Sequence, residues 1–531
     1  MGGCGGESKE VFAPLGIVPE IEETGAQEVD QERLEKGDSG DSSGIVDTLQ
    51  NQESASDGSS NEFDDVVGRG SISDSGTVAG VLGAESDSLD SAQAGYEVVE
   101  SGDEQEIGEE SDGLFDPGSF MDDALRFPLG VQSGDVNAQN AVLWTRYLGN
   151  TDLKLVVFED GYEENPGIVV LEAPATIKDG GFVHVEVSGL EAYTNYRYCF
   201  YEVGEEAASY RSVIGLLRTA PASDEALPLV FGAASCINDN FMPYDTLEQA
   251  GSDDLDFFIL AGDIVYADGS ESLKDYRTVW GEAFADPGFQ KLFRTTPTYS
   301  TWDDHEVDNN WNPELIDSGK LEVATQSFFD FLAIREPEVP NRVWRSYRWG
   351  KTAEIFLLDC RSERRNSEGV YISEEQMNWL KESLSSSDAV FKIIVNSVPV
   401  TDMPFWYVAE NDRWEGFPGQ REEILSFIEE EVEGALWLTG DFHFGGIMKI
   451  GSPGSTYDEH VEVMVGPAAQ FPNPLWVGVQ NAVTVQGQFP FLTGTLNYTR
   501  FTLDPISDPP SVLVEFVTGS GSIVHATTLR P

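Results

Sequence analysis

The sequence predicts an α/β domain built in layers, preceded by a small β-sandwich and by an acidic tail that does not fold. Three stretches of different pattern support this prediction. Residues 1–125 are rich in Asp, Glu, Ser and Gly, and residues 126–221 hold short strands separated by turn residues. Residues 222–531 hold continuous apolar runs separated by amphipathic helices. We take these three ranges as the predicted domains.

The acidic tail contributes much of the net charge of −63 that the 531 residues carry. A segment with high charge and few apolar residues cannot bury enough surface to fold, so we expect residues 1–125 to be a disordered tether. The charge also disfavours contact with nucleic-acid phosphates, and we expect no nucleic-acid-binding domain. No run of about 18 apolar residues is present, so we expect no transmembrane helix.

The first residues, Met-Gly-Gly-Cys4-Gly, are followed by an acidic stretch. A cysteine in this setting is typical of the processing site of a bacterial lipoprotein, which would place a lipid anchor at Cys4. The alternative is a chance cysteine in a flexible terminus, because the basic and apolar regions of a signal peptide are missing. With four cysteines in all, the chain has too few for a fold held by disulfides.

The β-sandwich is predicted from short apolar or alternating runs bounded by turn residues, a spacing typical of packed antiparallel sheets. The runs are Ala141–Arg146, Lys154–Phe158, Phe182–Val187 and Tyr196–Tyr201.

The α/β domain is predicted from continuous apolar runs, which indicate strands buried on both faces by helices. The runs are Leu229–Ala234, Asp256–Ala261, Glu354–Leu358, Phe391–Val395 and Leu436–Thr439. Ser373 and Gln376 form a capping box ahead of one helix, and residues 421–432 place their apolar side chains on one face of another. The ligand site of such a domain is expected at the carboxyl ends of its strands.

Residues that can bind metal follow three of these strands and one further predicted strand, Thr298–Trp302. Cys236, Asp263 with Tyr266, the run Asp303-Asp304-His305-Glu306, and Asp441 with His443 would converge if the strands run parallel. Two cations about 3.5–4 Å apart neutralise a phosphoester and make hydroxide available near neutral pH. Such a pair needs a bridging carboxylate, and Asp263, directly after Gly262, suits that position.

Taken in order, the motifs resemble those of the PhoD-like alkaline phosphatase/phosphodiesterase family. The resemblance covers about residues 126–470. The motifs are Phe127–Asp135, Val142–Arg146, Gly189–Tyr198, Leu217–Pro221, Ala234–Cys236, Gly262–Asp268, Trp302–Asn310, Leu358–Arg361, Trp414–Phe417 with Arg421, and Gly440–His443.

The resemblance implies a four-layer, calcineurin-like metallophosphoesterase sandwich, preceded by an immunoglobulin/fibronectin-like β-sandwich. It implies a centre of two or more metal ions that holds Fe(III) and Ca²⁺. It also implies hydrolysis of phosphate mono- or diesters outside the cytoplasm, by a protein that is secreted, periplasmic or lipid-anchored.

The resemblance also assigns roles to individual residues. Cys236, Asp263 and Tyr266 match iron-side ligands, and Asp441 and His443 match later metal ligands. On the calcium side the match points to Asp304 and to Asn309 or Asn310, of which we take Asn310. His305 stands where a histidine protonates the leaving oxygen. Guanidinium chemistry, apart from the resemblance, leads us to expect Arg361 as a catalytic and substrate-binding residue, and Arg421 after it, to hold phosphate oxygens in a fork.

Two other functions remain open on the sequence. One is a diesterase of phospholipase D type that acts on lipid head groups. The other is a surface-tethered binding protein that keeps the fold without turnover. Trp414-Glu-Gly-Phe417 and Asp359-Cys360-Arg361 depart from the expected Trp-Asp-Gly-Tyr and Asp-Thr-Arg patterns, so the sequence leaves the preferred substrate open.

Overall fold

The structure is a computed structural model, and it describes residues 113–159, 166–204, 210–403, 410–473 and 487–531. The predicted tail as far as residue 112, with Cys4, lies outside the described residues.

The described residues form 24 strands and six α-helices. The strands are β1 Leu114–Phe115, β2 Met121–Asp122, β3 Val131–Gly134, β4 Ala141–Arg146, β5 Asp152–Glu159, β6 Gly167–Ala175, β7 Phe182–Val187, β8 Asn195–Val203, β9 Tyr210–Arg211, β10 Gly215–Arg218, β11 Leu229–Ile237, β12 Phe257–Ala261, β13 Thr298–Thr301, β14 Arg345–Trp349, β15 Ala353–Leu357, β16 Phe391–Val395, β17 Ala435–Thr439, β18 Gly445–Lys449, β19 Val461–Met464, β20 Pro467–Ala469, β21 Phe491–Thr493, β22 Tyr498–Asp504, β23 Ser511–Val517 and β24 Ile523–Leu529. The helices are α1 Asp245–Ala250, α2 Leu273–Phe284, α3 Pro287–Thr295, α4 Ser318–Phe331, α5 Glu374–Ser386 and α6 Pro418–Glu431.

These strands form three sheets. The first has the order β1-β6-β5-β8-β9-β2, with β10 also paired to β8. The second has the order β24-β23-β22-β11-β12-β13-β3-β4-β7, with β20 also paired to β11, and the third has the order β14-β15-β16-β17-β19-β18-β21. Strands β4 and β7 have the bounds that the alternating runs predicted, while β5 and β8 extend beyond theirs.

Strands β1 and β2 lie before Arg126, within the stretch that composition assigned to the tail. The Phe115 side chain is buried, and its ring centroid lies 5.5 Å from that of Phe158. Asp122 forms an ion pair with Arg211. Residues 113–125 are therefore part of the folded region, because they pair with and pack on segments that come much later in the chain.

The second sheet runs from the N-terminal region into the α/β region, because β3 pairs in parallel with β13 at Gly134 and Thr298. A Cβ at Gly134 would lie 2.2 Å from the carbonyl oxygen of Ala333, so this crossing needs glycine. The next residue, Asp135, is fully buried and accepts a hydrogen bond of 3.0 Å from Arg345. The break in pattern at residue 221 is thus not a break between sheets.

The α/β region consists of four layers. Side chains from β11, β12, β15, β16 and β17 meet in one apolar cluster, which places the second and third sheets face to face. Helices α1 to α4 contribute to a cluster on the other side of the second sheet, and α5 and α6 contribute to one on the other side of the third sheet. Both sheets are buried on two faces in this region, which explains the continuous apolar runs in the sequence.

The two predicted helices are present as α5 and α6. The Ser373 side chain caps α5 by accepting from the backbone N–H of Gln376. The Gln376 side chain does not complete the capping box, because its Oε1 accepts from the backbone N–H of Asp359 while the backbone N–H of Ser373 donates to Glu363. Helix α6 begins at Pro418, three residues earlier than the pattern indicated, because proline is well suited to a first helical turn.

Candidate metal centre

The carboxyl ends of β11, β12, β13 and β17 meet at one place, where the two facing sheets come together. Strands β11, β12 and β13 are neighbours and parallel, so their ends lie on one edge of the second sheet. Strand β17 reaches the same place from the third sheet. The side chains brought together are Cys236, Asp263, Tyr266, Asp303, Asp304, His305, Asp441 and His443.

Two glycines allow the strand ends to approach closely. A Cβ at Gly262 would lie 2.7 Å from Cβ of Asp303, and a Cβ at Gly440 would lie 2.7 Å from Cβ of Ser235. Neither position can accept a larger residue without displacing a neighbouring strand end. This explains why glycine precedes aspartate in both Gly262-Asp263 and Gly440-Asp441.

The backbone at this place has an unusual conformation. Eight non-glycine residues among those described have a positive φ, and five of them are residues that the sequence singled out as ligands. Left-handed backbone is unfavourable for residues with a Cβ and is concentrated at functional sites. The five are Cys236, Asp263, Asn310, Asp441 and His443, with φ between 52° and 70°.

One half of the centre joins a thiol, a carboxylate, a phenol and an imidazole. Cys236 Sγ lies 3.6 Å from Asp263 Oδ2, and Tyr266 Oη lies 3.4 Å from the same oxygen. Tyr266 Oη is also 3.1 Å from Nε2 of His443. Burial lowers the pKa of His443 to about 4, so the ring is neutral near pH 7 and can donate a lone pair to a metal.

The other half of the centre is a cluster of carboxylates. Asp263, Asp303, Asp304 and Asp441 each place an oxygen within 4.8 Å of the others. Burial, followed by repulsion from neighbouring carboxylates, raises the pKa of Asp263 and that of Asp441 well above the usual range. A cation would remove this repulsion and favour the ionised forms.

Asp304 shows most directly that the donor set fits a cation. Its Oδ2 accepts a hydrogen bond of 2.6 Å from the backbone N–H of Asn310. Its Oδ1 is buried and has no hydrogen-bond partner in the described part of the chain, although Nη2 of Arg361 lies 3.6 Å away as an ion-pair partner. A buried carboxylate oxygen without a donor is costly, and a hard cation is the natural partner of such an oxygen. Asn310 thus contacts the centre through its main chain, and the side chains of Asn309 and Asn310 are exposed.

His305 lies at the edge of the centre. Its Nδ1 is 2.7 Å from Asp268 Oδ2, and its backbone N–H donates to Asp263 Oδ1 over 3.4 Å. The ring stacks on that of Tyr266 with centroids 4.0 Å apart. Although burial favours the neutral ring, the hydrogen bond with Asp268 and the charge of Asp304 raise the pKa of His305.

Arg361 was expected to contact substrate, but the structure places it in the protein interior, on the carboxylate of Asp303. Its side chain is fully buried, and Nε and Nη2 donate to the two carboxylate oxygens of Asp303 over 2.7 and 3.0 Å. Nη1 donates to Asp412 over 2.5 Å. Although burial opposes ionisation, Arg361 helps to lower the pKa of Asp304 to about 2. The guanidinium fork is therefore occupied by the protein's own carboxylates.

Arg421 also differs from the expectation of a phosphate contact. Its Nε donates to the carbonyl oxygen of Val400 over 2.8 Å, and its Nη2 lies 3.2 Å from Asp402 Oδ1. These contacts attach the start of α6 to the loop after β16. In this structure Arg421 has a role in holding that loop.

Several residues of the centre were given no individual role from sequence. Asp303 and Glu306 belong to a run that was expected at the centre, and Asp268 stands inside the motif Gly262–Asp268, but none of the three was chosen as a ligand or catalytic residue. Glu306 is buried and accepts from the backbone N–H groups of Ile264 and Asp303, which ties two ligand loops together. Ser397 and Asp412 carry no local signal, since their partners lie far away in the chain.

Two family models match the chain. The model described as PhoD-like phosphatase, N-terminal domain, matches residues 117–221, and the model described as PhoD-like phosphatase matches residues 231–474. Alkaline phosphatase D of Bacillus subtilis strain 168 is 27% identical over 379 residues, which are 60% of this chain and 64% of that protein. The match thus spans slightly less than two thirds of that relative.

Two solved structures share the fold. A structure of PhoD aligns with a TM-score of 0.66 at 22% identity and covers 76% of this chain and 93% of its own. A purple acid phosphatase, PPD1 from seeds of yellow lupin (Lupinus luteus), aligns with a TM-score of 0.56 at 16% identity, covering 76% and 73%. The four layers are therefore those of a metallophosphoesterase-like α/β fold. With both family models matched in order, the chain belongs to the PhoD-like phosphatase family.

Proposed function

We propose that this protein is a metal-dependent hydrolase of phosphate mono- or diesters. The observation that carries the proposal is the buried carboxylate cluster at the point where four strands converge, in which Oδ1 of Asp304 accepts no hydrogen bond from the described part of the chain. The similarity to alkaline phosphatase D supports the same reaction class.

We further propose that the centre holds Fe(III) and Ca²⁺. Cys236 and Tyr266 offer a thiolate and a phenolate, which are anionic and electron-rich donors that suit Fe(III), and His443 lies beside them. Asp304 offers the hard oxygen that suits calcium, and Asp263 lies beside both halves. When bound, such cations would offset the negative charge of the phosphate and lower the pKa of the attacking water.

The residues of the chain would orient the substrate's leaving group and supply its proton. Asp268 holds Nδ1 of His305, so Nε2 is the nitrogen left to face the leaving oxygen. The raised pKa of His305 favours the protonated ring that a general acid requires. The stacked ring of Tyr266 restricts rotation of the imidazole. Arg361 would act as a positioning residue, because it fixes Asp303 and compensates part of the buried negative charge.

The test is a comparison of Asp304→Asn with Asp308→Asn, which changes a more exposed acid of the same segment that pairs with Lys320. Each purified full chain is supplied with iron and calcium and assayed on 4-nitrophenyl phosphate and on bis(4-nitrophenyl) phosphate. We expect Asp304→Asn to lose metal content and hydrolysis together, while Asp308→Asn keeps both. Unchanged release of nitrophenolate by Asp304→Asn would contradict the proposal.

We also propose that the protein works outside the cytoplasm, secreted, periplasmic or attached to a membrane surface through Cys4. The support is the sequence around Cys4 and the long acidic stretch that follows it, which would serve as a spacer. We also propose, from the resemblance to the family, that the β-sandwich is of the immunoglobulin/fibronectin type.

Within the described ranges, no helix is long and apolar enough to cross a bilayer. Mass spectrometry of the N-terminal peptide from the native host, with cell fractionation, tests the anchor.

A further inference from the structure

An exposed aromatic side chain, Phe471, lies beside the metal centre and contacts a half-buried one, Phe241. The side chain of Phe471 is 73% exposed, and it is the one phenylalanine or tryptophan in the described part of the chain that is exposed by more than about a third. Its ring meets that of Phe241 edge to face, with centroids 4.6 Å apart. The neighbouring Met242 is also exposed. We call Phe241 and Phe471 the aromatic pair.

Main-chain and side-chain contacts fix the aromatic pair close to the proposed ligands. Phe241 follows Cys236 by five residues, and the intervening Asn238 donates its backbone N–H to Ala469 over 2.7 Å. On the other side, Gln470 forms a side-chain hydrogen bond with Tyr266. The backbone N–H of Asn473 then donates to the carbonyl oxygen of His443 over 3.1 Å. Phe471 therefore lies on a segment held at both ends by residues of the centre.

The exposure of Phe471 is not needed by the fold. Phe241 packs partly on the core below it, whereas the ring of Phe471 remains mostly in contact with water. A wet aromatic ring contributes little to folding. Phe471 is not isolated, because Phe241 and the exposed Met242 lie beside it, and a contiguous apolar patch beside a polar site is a common feature of ligand recognition. The polar residues between Cys236 and Phe241 offer no positive charge to a phosphate, since they are Asn238, Asp239 and Asn240.

We propose that the aromatic pair is the subsite for an apolar, and preferably aromatic, substituent of the phosphoester. This inference rests on the proposed function and narrows its substrate class. In a chain with a net charge of −63, little attraction for an anionic ester comes from the protein surface, so a neutral contact next to the centre would supply binding free energy. Edge-to-face contact with the pair would hold an aryl group without any charge.

Binding of non-hydrolysable phosphonates tests the subsite without any need for turnover. By isothermal titration calorimetry we expect the full chain to bind phenylphosphonate about five- to tenfold more tightly than methylphosphonate, the gain that one aromatic contact provides. Phe471→Ala should remove this preference and leave methylphosphonate unchanged. Ile506→Ala is the matched control, since Ile506 is 72% exposed and lies on a turn between β22 and β23. Equal binding of the two phosphonates to the unsubstituted chain would overturn the subsite.

Turnover separates this inference from the function on which it rests. Phenyl 4-nitrophenyl phosphate and methyl 4-nitrophenyl phosphate share a leaving group and differ in the second substituent. We expect Phe471→Ala to lower kcat/KM about fivefold for the phenyl diester, mainly through KM, and to leave the methyl diester unchanged. The same loss on both diesters would refute the subsite. If the unsubstituted, metal-supplied chain hydrolyses neither diester, the proposed function fails, and the phosphonate preference still decides the subsite.

Discussion

Replacement of Arg361 by methionine distinguishes a residue that supports the site from one that contacts substrate. The guanidinium group is fully buried, donates to both oxygens of Asp303, and reaches Asp412 with its remaining nitrogen. The substitution keeps most of the side-chain volume and removes the charge. It therefore leaves the carboxylate of Asp303, which is itself buried, without its cation.

The size of the effect follows from the burial of both partners. Loss of one member of a buried ion pair destabilises a protein by about 3–5 kcal/mol, because the other charge stays in the interior without compensation. The contact with Asp412 is partly exposed and adds less. We expect Arg361→Met to lower the free energy of unfolding by about 3–5 kcal/mol. Arg361→Lys should recover only part of this, because an ammonium group cannot donate to both oxygens in a fork.

The assay is urea unfolding in the presence of a chelator, so that metal loss does not confuse the comparison. Arg348→Met is the control, since Arg348 pairs with Asp388, whose side chain is 67% exposed, and a pair of that kind contributes about 1 kcal/mol or less. A loss below about 1 kcal/mol for Arg361→Met, together with a raised KM, would refute the assignment. Arg361 would then bind substrate, as the sequence led us to expect.

Three further predictions concern pH, metal and the tail. Burial lowers the pKa of His184 to about 4, below the value of about 6.5 in an unfolded chain, so the unfolded state takes up the proton first as the pH falls. The free energy of unfolding should therefore fall by about 3 kcal/mol between pH 6.5 and 4 through His184 alone, with the full value kept above pH 6.5. His184→Gln should flatten this part of the curve of stability against pH, measured by urea unfolding. An equally steep curve in the variant would contradict this. The iron-loaded protein should absorb in the visible through phenolate coordination, and Tyr266→Phe should shift or bleach that band without a change in melting temperature, whereas an unchanged band would exclude Tyr266 as a ligand. Deletion of residues 1–112 should leave the melting temperature and turnover unchanged. Deletion of residues 1–125 should lower the melting temperature, because it removes Phe115, which packs in the folded region. A lower melting temperature for the shorter deletion would show that the tail contributes to the fold.

The sequence could predict most of the metal centre because its donors follow strands directly. Asp263 comes two residues after the end of β12, and Asp441 two residues after the end of β17. Parallel strands of one sheet end on one edge, which is enough to predict that the donors after β11, β12 and β13 meet. Strand β17 belongs to the third sheet, and it brings Asp441 to the same place because the two sheets pack face to face. The glycine before each aspartate was a further signal, and the structure gives its reason in the close approach of Asp303 and Ser235.

The roles of the arginines could not be predicted because they depend on distant partners. Arg361 is 58 residues from Asp303 and 51 from Asp412, and nothing in the local sequence indicates that these carboxylates occupy its fork. A guanidinium group near a phosphate site fits either a substrate or a buried acid equally well. The same limit applies to β1 and β2, whose polar neighbours in sequence conceal a buried Phe115.

The centre is also where the sequence works against the stability of the fold. Five of its residues have left-handed backbone, and each such residue costs on the order of 1 kcal/mol or more. Four carboxylates are held within 4.8 Å of one another in the interior, where like charges raise each other's free energy. Glu306 and Arg361 hold this arrangement together by hydrogen bonds to the ligand loops, but they do not remove the repulsion. A bound cation would offset it directly, and binding to the folded chain alone would then add to its stability. Strained backbone and like charges lie together here and are held by hydrogen bonds from Glu306 and Arg361. This combination indicates a site for binding and chemistry, because a core that served stability alone would contain neither strain nor buried like charges.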